Sequence, residues 1–395
     1  MKLKQSDTIV VLSTADWDTK YLTNKQHTAK ELAKIGYKVL YVESVGLRNP
    51  KVNSAMDWKR LILRAYAGLK TLFLGSKQVD VNIHVISPLV SPFFKNNFLI
   101  RKFNSVLLNF LIERSLKGND HILWSYHPYV MDIVRKDKHC KLIYHCVDDL
   151  SSVPGVNSES FEIQEANFLK LCNHVFVTAP KLKERCIKYN TSVTYLSNVV
   201  DYEHFSARSS NNTDNIKKKI VYHGVLSDFK LDLFLFFNII KNHPQYHFVL
   251  VGEEREGQSS ELLREIFKLK NVEHLGYVPY SKLPELLAQC DLGILPSQIN
   301  DYTNSMFPMK FYEFIASGLP IVSTKLNAIE GIESKFIQKI SSSSEFSIAA
   351  ESLLTLGKIP CIDRELLIGK NTWKERTSIM LNIIDESESK SITVN

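Results

Sequence analysis

Residues 291–324 read DLGILPSQINDYTNSMFPMKFYEFIASGLPIVST. Asp291–Ser297 is a short apolar strand running into a polar loop. Met309–Ser317 then has the composition of a buried helix, and Gly318 and Pro320 mark its end before a second strand, IVST. Strand, loop, helix, strand is one βαβ step of a parallel sheet. Inside that apolar helix stands a single carboxylate, Glu313, flanked by Phe311, Tyr312, Phe314 and Ile315. A helix start presents free N–H groups and positive dipole to a diphosphate, and a nearby carboxylate can accept both hydroxyls of a ribose. The stretch therefore reads as a nucleotide-shaped site.

Outward from it the same alternation continues. IVYHGVL, FVLVGEE and VEHLGYV precede it as strands, with helices over 231–241 and 281–289. In the first half TIVVLST, KVLYVES, VNIHVIS, HILWSY, KLIYHCV, HVFVTA and VTYLSNVV supply further strands. Lys25–Ile35 is a helix closed by Gly36, and Pro180 opens another. Runs buried on both faces imply parallel sheets covered by helices. The polar stretch SARSSNNTDNIKKK separates the two halves.

A chain of 395 residues exceeds what one core usually organises, so two domains are expected. The boundaries read 1–205 for a first Rossmann-like domain, 206–219 for a linker and 220–370 for a second. A C-terminal helix over 371–386 crosses back to the first domain, and 387–395 forms a disordered tail. Hydrophobic content of 44% and charged content of 23% exclude global disorder. The six cysteines form no CxxC pair, which suits reduced structural thiols. The first apolar run is too short for an export signal, so the expected location is cytoplasmic. Charge is concentrated. Residues 45–117 hold twelve Lys and Arg against three Asp and Glu, whereas the whole chain nets only +7. Within it Met56–Gly75 places Trp58, Leu61, Ile62, Tyr66 and Leu69 at helical spacing between Lys59, Arg60, Arg64 and Lys70. Such a helix suits an anionic membrane surface or, equally, ordinary packing on the sheet.

The pattern Pro308, Lys310, Glu313, Phe314, Ile315, Ala316, Gly318, Pro320, Ile321, Val322 resembles the signature of retaining glycosyltransferases of family 4, in the branch of teichuronic-acid and capsule enzymes. The resemblance implies the GT-B architecture, two Rossmann-like doubly wound α/β domains facing across a cleft. It implies a hexosyltransferase-type enzyme that moves a sugar from a nucleotide-diphosphate sugar to a surface polysaccharide, such as a lipid-linked capsule or exopolysaccharide acceptor. The nucleotide sugar is co-substrate, and neither a further cofactor nor a metal is implied. Asp16-Trp17-Asp18 has the letters of a metal motif but follows a first strand.

On the donor side the resemblance nominates Glu313 for the ribose, and Lys310 and Lys230 for the diphosphate. Gly252, Gly276 and Val278 would lie in strand-end loops, with Pro296 and Ser297 leading to the sugar-phosphate loop. Ser305 stands where the wider family often has an acid, and Val225 where it has an arginine. CKLIYHCVDDL matches the strand that ends in an active-site His, which nominates His145 with Asp148 and Asp149; Asp149 also suits a helix cap. On the acceptor side it nominates Asp16, Trp17, Lys20 and His27, with His127 as a further candidate. A nucleotide-sugar epimerase, a catalytically silent scaffold and a two-domain solute receptor remain open as rivals.

Overall fold

The computed structural model describes residues 7–44, 55–89, 98–116, 120–129, 141–153, 155–206, 217–254 and 259–392. The chain divides into two compact units, Met1–Leu196 with Trp373–Asn395, and Ser197–Thr372. The division falls ahead of the expected boundary at 205, and most of the expected linker, 207–216, lies outside the described residues.

The first unit begins β1 (Thr8–Leu12), α1 (Asn24–Ile35), β2 (Lys38–Val42), α2 (Ala55–Leu74), β3 (Lys77–Asp80) and β4 (Ile83–Ile86). It continues α3 (Phe98–Leu116), β5 (His121–Ser125), β6 (Lys141–Cys146), α4 (Ser158–Leu169), β7 (His174–Val177), α5 (Pro180–Cys186) and β8 (Val193–Tyr195). Its eight strands lie in the order β3-β4-β2-β1-β5-β6-β7-β8. All neighbours pair parallel except β3, which runs antiparallel to β4 at the edge. β3 is polar and largely exposed, so it has no apolar run by which the sequence could announce it. β1, β5 and β6 are buried almost throughout because α1 and α3 cover opposite faces of the sheet, one in each of two apolar clusters.

The second unit runs α6 (Tyr202–Ser206), β9 (Lys219–His223), α7 (Leu233–Asn242), β10 (His247–Val251), α8 (Glu261–Phe267), β11 (Val272–Gly276), α9 (Leu283–Ala288) and β12 (Leu292–Leu295). α10 (Asp301–Asn304), α11 (Met309–Ala316), β13 (Ile321–Thr324), β14 (Ile337–Ile340), α12 (Ser343–Leu356) and α13 (Cys361–Ile368) follow. The sheet order is β11-β10-β9-β12-β13-β14, parallel throughout. The chain ends in α14 (Trp373–Ile392), whose Met380, Leu381 and Ile384 enter the core of the first unit. This helix continues to Ile392, past residue 386 where the sequence reading places a disordered tail.

In a doubly wound sheet, ligands sit at the carboxyl ends of strands where the order reverses. That point lies between β1 and β5 in the first sheet and between β9 and β12 in the second.

Candidate active site

In the second unit, α11 follows β12 and drops Phe311, Phe314 and Ile315 into the core with no exposure. Lys310 and Glu313, three residues apart on the helix, share the remaining face. The carboxyl end of β9 meets them there. His223 Nε2 lies 3.3 Å from Glu313 Oε2. Lys310 Nζ donates to the Tyr222 hydroxyl at 3.2 Å and sits 4.7 Å over that ring. Burial pushes the Glu313 carboxyl up to about 7, with Lys310 pulling the other way. Burial and then Lys230 push the Lys310 ammonium down to about 8, against the pull of Glu313. Burial, with Lys310 next, holds the His223 imidazole down at about 3. At neutral pH His223 is therefore neutral, and its contact with Glu313 is not an ion pair. Its buried Nε2 makes no hydrogen bond among the described residues. A buried, unsatisfied polar atom beside a carboxyl whose pKa burial has raised suits a site organised for a polar ligand.

The loops around this pair are locked to one another. Gly224 N–H donates to Val251 O at 2.9 Å, and Gly252 N–H to Gly276 O at 2.7 Å. Gly224 and Gly252 adopt φ of 124° and 135°. A Cβ on Gly252 would stand 1.9 Å from Gly224 O, and one on Gly224 would stand 2.7 Å from Lys310 Nζ. These glycines let backbone approach backbone and leave room for the cation. Gly252→Ala is expected to lower the unfolding free energy by about 3 kcal/mol or more, read as a fall in urea midpoint. Lys230 is held by its own N–H to Ser227 O at 3.0 Å, and its carbonyl accepts from Gln298 N–H at 2.9 Å. Its Nζ lies 4.9 Å over Tyr302. Pro296 O accepts from Asp232 N–H at 2.9 Å, and Ser297 O from Thr324 Oγ1 at 2.9 Å. Ser305 is buried at the end of α10, and Val278 packs against the apolar cluster around α11.

In the first unit a second polar cluster stands at the carboxyl ends of β1, β5 and β6. His145, next to last in β6, is almost fully buried, its ring stacked 4.9 Å from that of Tyr126 at an interplanar angle of 28°. Burial, then Lys25 and Arg376, hold its imidazole down at about 3. Lys25 Nζ, also buried, lies 3.7 Å from Asp148 Oδ2 and 5.6 Å from the Tyr126 ring. The Tyr126 hydroxyl donates to Asn24 Oδ1 at 3.0 Å.

Asp149 is engaged differently. Its carboxylate accepts from Arg185 Nη1 at 2.5 Å, Ser151 Oγ at 2.6 Å and Ser152 Oγ at 2.8 Å. Burial raises its pKa, but Arg185 and the two hydroxyls outweigh that and hold it below the usual value. The same guanidinium reaches Glu165 at 3.2 Å. Asp149 thus caps its own turn and anchors α5.

The acceptor-side candidates are dispersed. Asp16 pairs with Arg64 of α2 at 2.7 Å. Trp17 packs edge-on to Tyr41 at 5.0 Å while its N–H donates to Glu43. His27 stacks on Trp373 at 4.8 Å. His127 is buried just past β5, where its carbonyl accepts from Ser125 Oγ. Lys20 lies in the loop between β1 and α1. Sequence reasoning missed Tyr222, His223 and Gly224 in one unit, and Lys25 and Tyr126 in the other. Tyr222, His223 and Gly224 stand at the end of the β9 run and Tyr126 just past β5, strand-end positions like that of His145, whereas Lys25 lies inside α1 and carries no such signal.

These features, the Lys310–Glu313 face of α11 and the glycine loop after β9, lie within a stretch that is similar to a known family. Residues 217–355 match the Glycosyl transferases group 1. A Bacillus subtilis (strain 168) chain whose name assigns it to teichuronic acid biosynthesis, the glycosyltransferase TuaH, is 24% identical over 251 residues, covering 59% of this chain. The chain spans 62% of that relative's length. Among solved structures, the sucrose-phosphate synthase of Thermosynechococcus elongatus superposes with a TM-score of 0.69 at 12% identity, covering 97% of this chain and all of that one. Anabaena HepE in complex with UDP superposes at 0.59 with 14% identity, covering 99% and 100%. The fold is GT-B. The group 1 match covers residues 217–355 of the unit that holds Lys310 and Glu313.

Proposed function

We propose that the chain is a retaining glycosyltransferase, moving a sugar from a nucleotide-diphosphate sugar to a lipid-linked surface polysaccharide at the inner face of the cell membrane. The observation that carries this reading is the Lys310–Glu313 face with Lys230 near it, at the strand-order reversal of the group 1 unit. Glu313 takes the ribose hydroxyls. Lys310 and Lys230 take the diphosphate, which gains negative charge as the sugar departs and needs fixed cations to receive it. These lysines do that work without a metal. HepE, a relative in fold, holds UDP, so UDP is the first donor base to test.

In the first unit, His145 serves as a neutral hydrogen-bonding group. An imidazole held down at about 3 is a poor proton acceptor at neutral pH, which favours retention over the base-assisted inverting route. Lys25, Tyr126 and Asp148 complete the polar surface offered to the acceptor. The test is NMR of the product formed from a UDP-sugar and a lipid-linked acceptor in the presence of a chelator. The anomeric configuration of the donor is expected to persist. An inverted product, loss of turnover on chelation, or a changed sugar released without acceptor would each contradict the proposal.

A further inference from the structure

Helices α2 and α3 carry a surface that the transfer chemistry leaves unused. On α2, Ile62, Tyr66, Leu69 and Phe73 recur at i, i+4, i+7 and i+11, and on α3 Leu99, Phe103, Val106 and Phe110 recur at the same spacing. All eight are between 44% and 73% exposed. That spacing is one face of each helix. The other faces are occupied. Leu108, Leu111, Ile112 and Leu116 of α3 enter the core, and Thr71 Oγ1 of α2 accepts from Ser87 N–H at 3.2 Å. Arg114 of α3 donates to the carbonyls of Leu72 and Phe73, tying the end of α2 to α3. Apolar stripes of this extent are seldom left in water. Trp58 and Leu61, expected on the same stripe, lie outside the described side chains.

Charge identifies the occupant. The two helices contain Lys59, Arg60, Arg64, Lys70, Arg101, Lys102 and Arg114 against Asp57 and Glu113. Segment 45–117 nets +9 while the chain nets +7, so the remainder is acidic by two. A second copy seated on this face would oppose two cationic surfaces. Among the described residues no helix is long and apolar enough to cross a membrane.

We propose that α2 and α3 lie on an anionic lipid leaflet, their stripes at the headgroup–acyl boundary and the exposed Lys70 and Lys102 among the lipid phosphates. For its purpose, meeting a lipid-carried acceptor, this rests on the proposed function, but its test uses neither donor nor acceptor.

The full chain is sedimented with vesicles of phosphatidylglycerol and phosphatidylcholine, or of phosphatidylcholine alone. Phe73→Asp/Phe103→Asp and Lys70→Glu/Lys102→Glu are run beside it, each checked for an unchanged melting temperature. Binding is expected only with the anionic vesicles, to weaken with salt, and to fall about tenfold or more in both variants. Three results would overturn the proposal: no sedimentation with anionic vesicles, equal binding by the variants, or a dimer in ultracentrifugation that the Phe variant dissolves. Vesicle binding by a chain that fails to bind any nucleotide would leave this inference standing and remove the donor reading.

Discussion

Glu313→Gln is expected to lower kcat/KM on the order of a hundredfold to a thousandfold, since it removes the buried charged group proposed to accept two ribose hydroxyls. The same substitution should stabilise the free protein on the alkaline side. Burial raises the folded-state pKa of Glu313 to about 7 from an ordinary 4.5, so the folded chain holds that proton more tightly than the unfolded chain. Stability therefore falls as pH rises from 4.5 toward 7, and above 7 the buried carboxylate costs up to about 3 kcal/mol. Glutamine carries no such cost. Donor affinity in the unsubstituted protein should move in the opposite sense, weakening as pH drops below 7 and the carboxylate takes up its proton. Steady-state kinetics check the first, and calorimetric titration of the nucleoside diphosphate across that range, with thermal melts of both proteins, checks the other two. A variant that loses the donor while gaining stability would separate a functional carboxylate from a structural one.

Lys310→Met is the second large effect. Removing the charge-assisted contact proposed to the diphosphate should weaken nucleoside diphosphate binding by about a hundredfold, while binding of the bare nucleoside changes little. The ammonium is pushed down to about 8, so diphosphate binding should also decline as pH rises through that value. With Glu313 needing its proton off and Lys310 its proton on, donor binding is expected to peak between about 7 and 8. Competition of diphosphate and nucleoside for a fluorescent analogue would measure both.

Most of the architecture was legible because parallel strands are buried on both faces and write themselves as apolar runs. β3 and β14 escaped for the opposite reason: KQVD is a polar edge strand, and IQKI sets two polar residues between two isoleucines over only four residues. Glu313 could be found because a carboxylate amid Phe and Ile conflicts with its surroundings. Its neighbour His223 reads as one more residue of IVYHGVL, and only the strand order brings it to α11.

Lys25 shows the same limit. In sequence it matches the exposed Lys34 of the same helix, yet it is buried against Tyr126 and Asp148. Asp148 and Asp149 are adjacent and chemically identical. What separates the carboxylate facing Lys25 from the one that caps a turn is Arg185, 36 residues on from Asp149. Local spacing carries conflict and periodicity, whereas the assignment of charges to partners is written in the tertiary contacts.

The central claim is that the Lys310–Glu313 face binds a nucleoside diphosphate. Its most direct test is a thermal-shift screen of the protein and Glu313→Gln against UDP, GDP, CDP, ADP and dTDP. Selective stabilisation by one diphosphate, absent in Glu313→Gln although that variant melts higher without ligand, is the predicted result. Equal response of the two proteins, or no response to any diphosphate, would contradict it.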